Sequence, residues 1–427
     1  MKLQPRIIFG VAAVVSAALL ASCSEKLTTE AGCAGTCPDQ GGAVENVTLD
    51  ATTLDTTVAS VSGVGTESGL LIAARGDSLD TRAIFRFDTI PARFAPLAAD
   101  TTTQAVTRVD SAFLAMRVDT TALKMTGAVT IEAYDVDTTY TNDSTVADTL
   151  TAPLLKLFRP DRLIGSQTYT RAQIIDTLKY PISNAAILAK AKSGKRLRIG
   201  LLARSPASAQ IRVFSSEAGA STHLYYRVSP DTTIHPFLLS PYSKTPVGQS
   251  VVAAHLGDYT IIAKSPSPAP PGTLNMGGLP PTRIYMRFDI PKYIVDSSTV
   301  VRAALVLTQI PNRTIDPGDT VIISPALVLA AKAVFDPTKA AQILAEIALN
   351  PLRVAVGDSG KKAVELGPAF SFWRGLDAVA TPRSIVLRSA LEGIIPLQAR
   401  FFSMEAAPSL RPKLIISFIR RTPLGLP

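Results

Sequence analysis

Residues able to do chemistry are few in this chain and unevenly placed. Its 427 residues include three cysteines and three histidines. Cys23, Cys33 and Cys37 crowd into the first tenth, whereas His223, His235 and His255 come far later. A catalytic nucleophile needs a base that a third group holds, and a metal needs ligands at matched spacing. No histidine sits in H-E-x-x-H or beside G-x-S-x-G, and the C-x-x-x-C pair of Cys33 and Cys37 has no third ligand nearby. Glutamate is sparse, and no motif sets two carboxylates as a glycosidase pair. The oxygen-rich stretch "DVDTTYTNDSTVAD" (135–148) lacks the spacing of a helical calcium loop, and Asp and Thr are ordinary turn residues. The expectation is a chain without catalytic residues, metal or cofactor.

The cysteines have another use. Lys2 and Arg6 precede an uncharged run from Ile7 to Leu20, too short to span a bilayer but the right length for a signal-peptide core. The run ends in Leu20-Ala21-Ser22-Cys23, which resembles the bacterial lipobox. That resemblance makes residues 1–22 a lipoprotein signal peptide and Cys23 the lipidated first residue of the mature chain. Two or more acyl chains anchor stably, so the membrane is the first expected partner. Ser24 resembles the sorting signal for the outer membrane of Gram-negative bacteria. Outside the cytoplasm disulfides persist, so Cys33 and Cys37 are free to close a small clip in a polar tether, residues 23–43.

The formal charge of +9 falls to +7 when Lys2 and Arg6 leave with the signal. Basic residues are scattered, with no patch interleaved with aromatics, so nucleic acid is not an expected partner. With 47% apolar residues the chain can bury real cores. Short strands separated by turn signals read as all-β.

The chain also repeats itself. "TRAIFRFD" (81–88) returns as "TRIYMRFD" (282–289), "VDSAFLAMRV" from Val109 as "VRAALVLTQI" from Val301, and "VFSSEAGASTHLYYRV" from Val213 as "FFSMEAAPSLRPKLIISF" from Phe401. Three blocks in one order mean two copies of one domain. Alternation in the first block puts Ala83, Phe85 and Phe87 on one face and Arg82, Ile84, Arg86 and Asp88 on the other, the period of a half-buried strand. The expected layout is two tandem antiparallel jelly-roll-like β-sandwiches, 44–232 and 249–420, with a linker at 233–248 and a tail at 421–427. The proline-rich "SPSPAPPGTLNMGGLPP" (265–281) is read as an exposed loop. Helices are expected after Ser183, stopping at Gly194, and from Asp336-Pro337 to Asn350-Pro351.

The order "LxRFD…P", "sAxLxL" and a terminal "FxSxEA…RPxL" resembles the bacterial DNRLRE-type domains, sandwiches allied to carbohydrate-binding modules. The resemblance implies a non-catalytic surface module and, less directly, glycan binding. Trp373, with Arg374, is the candidate ligand platform, set against the preferred reading of the tryptophan as a core residue. Glu217 and Glu405 occupy matching positions in the two copies, as do Arg86 and Arg287. They are read as structural bridges, Arg86 to Glu217 and Arg287 to Glu405. The functional expectation is a lipid-anchored envelope protein that acts as a structural or protein-interaction module, with a carbohydrate-binding surface as the alternative. Its partner is then an unidentified envelope protein or glycan.

Overall fold

The computed structural model describes residues 43–60, 65–96, 101–137, 153–219, 222–242, 257–266, 268–345, 347, 349–376 and 380–421. The signal peptide, Cys23, Cys33, Cys37, nearly all of the tether, the 138–148 part of the Asp/Thr-rich stretch and most of the tail lie outside these residues.

Two strands open the described chain, β1 (Glu45–Leu49) and β2 (Thr52–Ala59). A second set is β3 (Gly69–Arg75), β4 (Leu79–Phe87), β5 (Arg93–Phe94), β6 (Gln104–Ala105), β7 (Ser111–Arg117), β8 (Lys124–Met125), β9 (Val129–Asp135), β10 (Leu163–Tyr169), β11 (Thr177–Pro181), β12 (Leu197–Arg204), β13 (Ala209–Phe214), β14 (His223–Arg227), β15 (Phe237–Leu239) and β16 (Asp258–Lys264). The third is β17 (Thr273–Gly277), β18 (Thr282–Phe288), β19 (Ser298–Ile310), β20 (Thr320–Leu327), β21 (Leu352–Ala355), β22 (Gly360–Glu365), β23 (Ser384–Ser389), β24 (Gln398–Phe402) and β25 (Lys413–Arg420).

These strands build two antiparallel sandwiches with short helices as decoration. In the first, a sheet ordered β10-β9-β12-β4-β3-β13-β8, with β16 added to β4, faces a four-stranded sheet β11-β7-β14-β15. Between them lies a core that includes Phe85, Phe87, Leu114, Met116, Leu201, Leu224 and Tyr226. In the second, β21-β20-β23-β18-β17-β24 faces β22-β19-β25-β1, with β2 added to β18. A short stretch of β19–β24 pairing joins those two layers into one sheet.

Apart from β8 and the two-stranded β5–β6 sheet, which have no equivalent among the described strands of the second sandwich, the two sandwiches match strand by strand, but the repeat is permuted relative to the sequence halves. The first sandwich is contiguous from β3 to β16. The second runs from β17 to β25 and is completed by β1 and β2, which pair with β25 and β18. The divisions expected at 232 and 249 are therefore displaced: β15 lies inside the expected linker yet pairs with β14, and β16 opens the expected second half yet pairs with β4. Local signals alone could not reveal this, because antiparallel pairing is decided by tertiary contact.

Side chains repeat the equivalence. Where β3 separates from β4, Thr260 Oγ1 accepts the Leu71 N–H at 3.1 Å, and Thr81 Oγ1 donates to the Leu71 carbonyl at 2.8 Å. Where β17 separates from β18, Thr57 Oγ1 accepts the Asn275 N–H at 2.9 Å, and Thr282 Oγ1 donates to the Asn275 carbonyl at 3.2 Å. Threonine hydroxyls thus satisfy backbone groups that the ladder has abandoned.

Three local expectations are corrected. The strand 81–88 is buried on both faces: Ile84 packs with Tyr134, Leu154, Leu202 and Tyr259 beneath the segment that carries Phe158. Within 265–281, Thr273–Gly277 is a buried central strand paired along its length with β24, because its prolines flank the strand and leave every ladder N–H intact. The helix expected from 337 to 349 stops at Ala340. Beyond it Ala345 N–H bonds to the Leu327 carbonyl and Leu344 bridges to Val328, so pairing at a strand end overrides helix propensity. The other helix forms as expected over Asn184–Ser193, with Ser183 as N-cap and Gly194 left-handed at φ 60°.

The two sandwiches share apolar surface. Leu71, Ala73 and Leu79 of the first enter the core of the second. Beside them Asp316, at φ 41°, accepts from Arg75 at 2.8 Å, Lys124 at 2.7 Å and Gln210 at 3.2 Å. Burial opposes ionisation there, but the bonds from Lys124 and Arg75 hold the Asp316 carboxyl below its ordinary range.

Candidate functional site

Trp373 cannot be a platform. It ends the helix Gly367–Trp373, is 1% exposed, and lies in the second core, edge-on to Phe370 with centroids 5.4 Å apart. Arg374 turns to the backbone, donating to the Ser298 carbonyl at 2.9 Å. Both residues hold the second sandwich together.

A different surface has the chemistry of a platform. On the outer face of the four-stranded sheet, Pro181 lies opposite Phe113, Phe113 opposite Tyr225, and Tyr225 opposite Leu238. Residues directly opposite share a face, so the four side chains form one row across β11, β7, β14 and β15. At the usual strand spacing the row is about 14 Å long. The Phe113 and Tyr225 rings stack at 4.4 Å and 20°, both half-buried, and Leu238 is 60% exposed. Lys179 Nζ lies 5.4 Å from the Phe113 ring centre. His223 and Arg227 flank Tyr225 on the same face of β14, and Arg117 follows Phe113 on β7. The neighbouring Tyr226 points inward, fully buried, and burial raises its hydroxyl well above the ordinary phenol range.

The equivalent row of the second sandwich tests whether the architecture demands these side chains. There the register gives Glu365, Ala304, Ile415 and Thr48. The same fold thus closes without one aromatic in that row. Alternation could have found the row, since Phe113, Ala115 and Arg117 share one face of "SAFLAMR"; the pairing of β7 with β14 was the missing information.

The two glutamates take a place that neither expected bridge describes. Glu217 is exposed in a 3₁₀ turn after β13, and the Ser216 hydroxyl bonds to it at 3.1 Å. The same hydroxyl bonds Asp258 Oδ1 at 2.9 Å, and the Ser216 N–H donates to Asp258 Oδ2 at 2.9 Å. Asp258, 1% exposed, lies opposite Phe85 and so faces the core. Arg86 leaves the other face of β4, where it donates to Asp88 at 2.5 and 3.0 Å. Burial, with the charges of Glu217 and Glu67, pushes the Asp258 carboxyl up to about 7 against the pull of Ser216.

The second corner repeats the first. Asp55, opposite Met286, accepts the Met404 N–H at 2.8 Å. Burial and the charge of Glu405 raise it to about 6. Arg287 is on the opposite face, donating to the Tyr285 hydroxyl at 3.1 Å. Each corner is thus an aspartate on the added strand, beside a glutamate. Among the described residues no group of three or more His, Cys, Asp or Glu is placed to hold a metal ion, and no helix is long and apolar enough to cross a membrane.

No family model matches the chain, and no curated protein matches it. Among solved structures, it is similar at 11% identity to the T13 viral particle of infectious bursal disease virus, over 90% of this chain and 75% of that one, with a TM-score of 0.13. The VP2 subviral particle of the same virus gives 10% identity over 89% and 77%, with a TM-score of 0.11. At those scores the likeness carries no argument.

Proposed function

We propose that this chain is a non-catalytic, lipid-anchored protein of the bacterial cell envelope, held at the outer membrane through Cys23, whose first sandwich binds glycan. The observation that carries the reading is the Pro181–Phe113–Tyr225–Leu238 row. Sugar rings have apolar faces, and a flat, half-exposed aromatic pair offers them contact area at little conformational cost. The second sandwich, with no aromatics in the matching row, serves as the structural partner that fixes the first relative to the tether.

The test is a glycan array probed with a soluble chain that starts at residue 38. Binding that drops about tenfold or more in Tyr225→Ala and in Phe113→Ala, with unchanged circular dichroism, supports the reading. A blank array sinks it and turns the search to a docked envelope protein.

A further inference from the structure

A second surface of the first sandwich, on the sheet opposite the aromatic row, has a different chemistry. A cleft of about 470 Å³ opens between the β3–β4 turn, the β12–β13 turn and the end of β16. That is within the size range of small-ligand sites. Its walls carry four cations, Arg75, Arg82, Arg204 and Lys264, against one acid, Asp80.

The placement of these cations is built in. Gly200 is central in β12, and a Cβ there would lie 2.5 Å from Phe158 Cζ. The missing side chain lets the Phe158 ring lie against the strand. The Arg82 guanidinium then sits 4.5 Å from the centre of that ring, held from one side by Asp80 at 2.8 and 3.2 Å. The remaining acids grip from outside the lining: Glu132 holds Arg204 at 2.6 Å, Asp77 holds Lys264 at 2.9 Å, and Asp316 holds Arg75 at 2.8 Å. Asp77 is fully exposed, so its ion pair is weak and yields readily to a competing anion. Each cation thus has one carboxylate partner, three of the four set outside the lining, so the charged groups that line the cleft are mainly cationic, and its apolar part is Leu79, Leu202 and Phe158.

We propose that this cleft binds an oxyanion carried on a small, partly apolar body, such as an acidic or phosphorylated sugar. Arg82, stacked on Phe158, is the main recognition group, with Arg204 and Lys264 as the outer clamp. Planar guanidinium groups suit carboxylate and phosphate oxygens. The proposal is independent of the aromatic row, which uses other residues on the opposite sheet.

Calorimetric titration of the soluble chain separates the sources, with inorganic phosphate in one arm and glucuronate in the other. Saturable binding of either probe, weakened about tenfold by Arg82→Gln and by added salt, is the expected result. Phosphate alone binding names a phosphorylated ligand; glucuronate alone names a uronate. Lys264→Gln, at a half-exposed position, tests the clamp should Arg82→Gln fail to fold, and Gly200→Ala, which displaces Phe158, should weaken binding as Arg82→Gln does. No saturable binding of either probe, or affinity unmoved in the folded variants, overturns the proposal.

Discussion

Asp258 shows what one buried carboxyl does to the molecule. Its folded value near 7 stands well above the 3.8 of an unfolded chain. Between those values the folded state keeps a proton that the unfolded state has released. The contribution of Asp258 to stability is therefore greatest below about 3.8, falls as pH rises through the window, and is flat above it. Asp55 adds a fall of the same sign that ends near 6, while the lowered carboxyls Asp316 and Asp119 titrate below the window. The thermal midpoint is expected to drop by several degrees between pH 5 and 8, and Asp258→Asn should remove most of that slope. A midpoint that is flat in the parent chain would contradict the argument. Trp373 carries a separate lesson: rare aromatics draw attention as binding residues, yet Phe370 and Trp373 are one helical step apart and both turn to the core.

At the scale of elements, each added strand pairs with its host along a ladder and is joined to the strand beyond it by one hydroxyl, Thr260 to Leu71 of β3 and Thr57 to Asn275 of β17. Replacing Thr260 or Thr57 by valine keeps the shape but strips the Leu71 or Asn275 N–H of its acceptor, a cost of about 1–3 kcal/mol each. Urea denaturation of both variants checks this, and similar losses are expected because the two joints are equivalent. The sandwich class and the repeated blocks were legible in the sequence, since alternation and turn residues are local signals. So was the helix after Ser183, whose cap and stop are both local. Thr273–Gly277 and residues 341–345 were misread because flanking prolines and an alanine-rich run describe local preference, whereas their pairing partners lie at β24 and β20. The aromatic row escaped for the same reason: Phe113 and Tyr225 are separated in sequence and meet only through register.

For the whole molecule, the closing of the second sandwich by β1 and β2 fixes where the ends must lie. Arg420 and Glu45 form an ion pair at 2.7 Å, so the two ends of the described chain are neighbours. A permuted chain that starts at residue 65 and joins 421 to 43 through a short linker should fold with a midpoint within a few degrees of the parent, as measured by calorimetry. Trp373 is the only tryptophan and lies in the second core, so its emission reports that sandwich directly. Without residues 43–60 the emission is expected to shift red, because the β18 and β25 edges lose their partners.

The same closure has a temporal side. Thr57 bonds to Asn275, a residue synthesised 218 positions later. At ordinary elongation rates of roughly 5–20 residues per second, β2 waits on the order of 10–40 s for its host. The first sandwich, contiguous from β3 to β16, can be complete within that interval. A strand kept waiting is an aggregation hazard unless its own composition guards it. Asp50 and Asp55, set among threonines in "DATTLDTTVA", supply that guard. The aspartate that later titrates in the folded corner is thus also the charge that keeps its strand soluble before the corner exists.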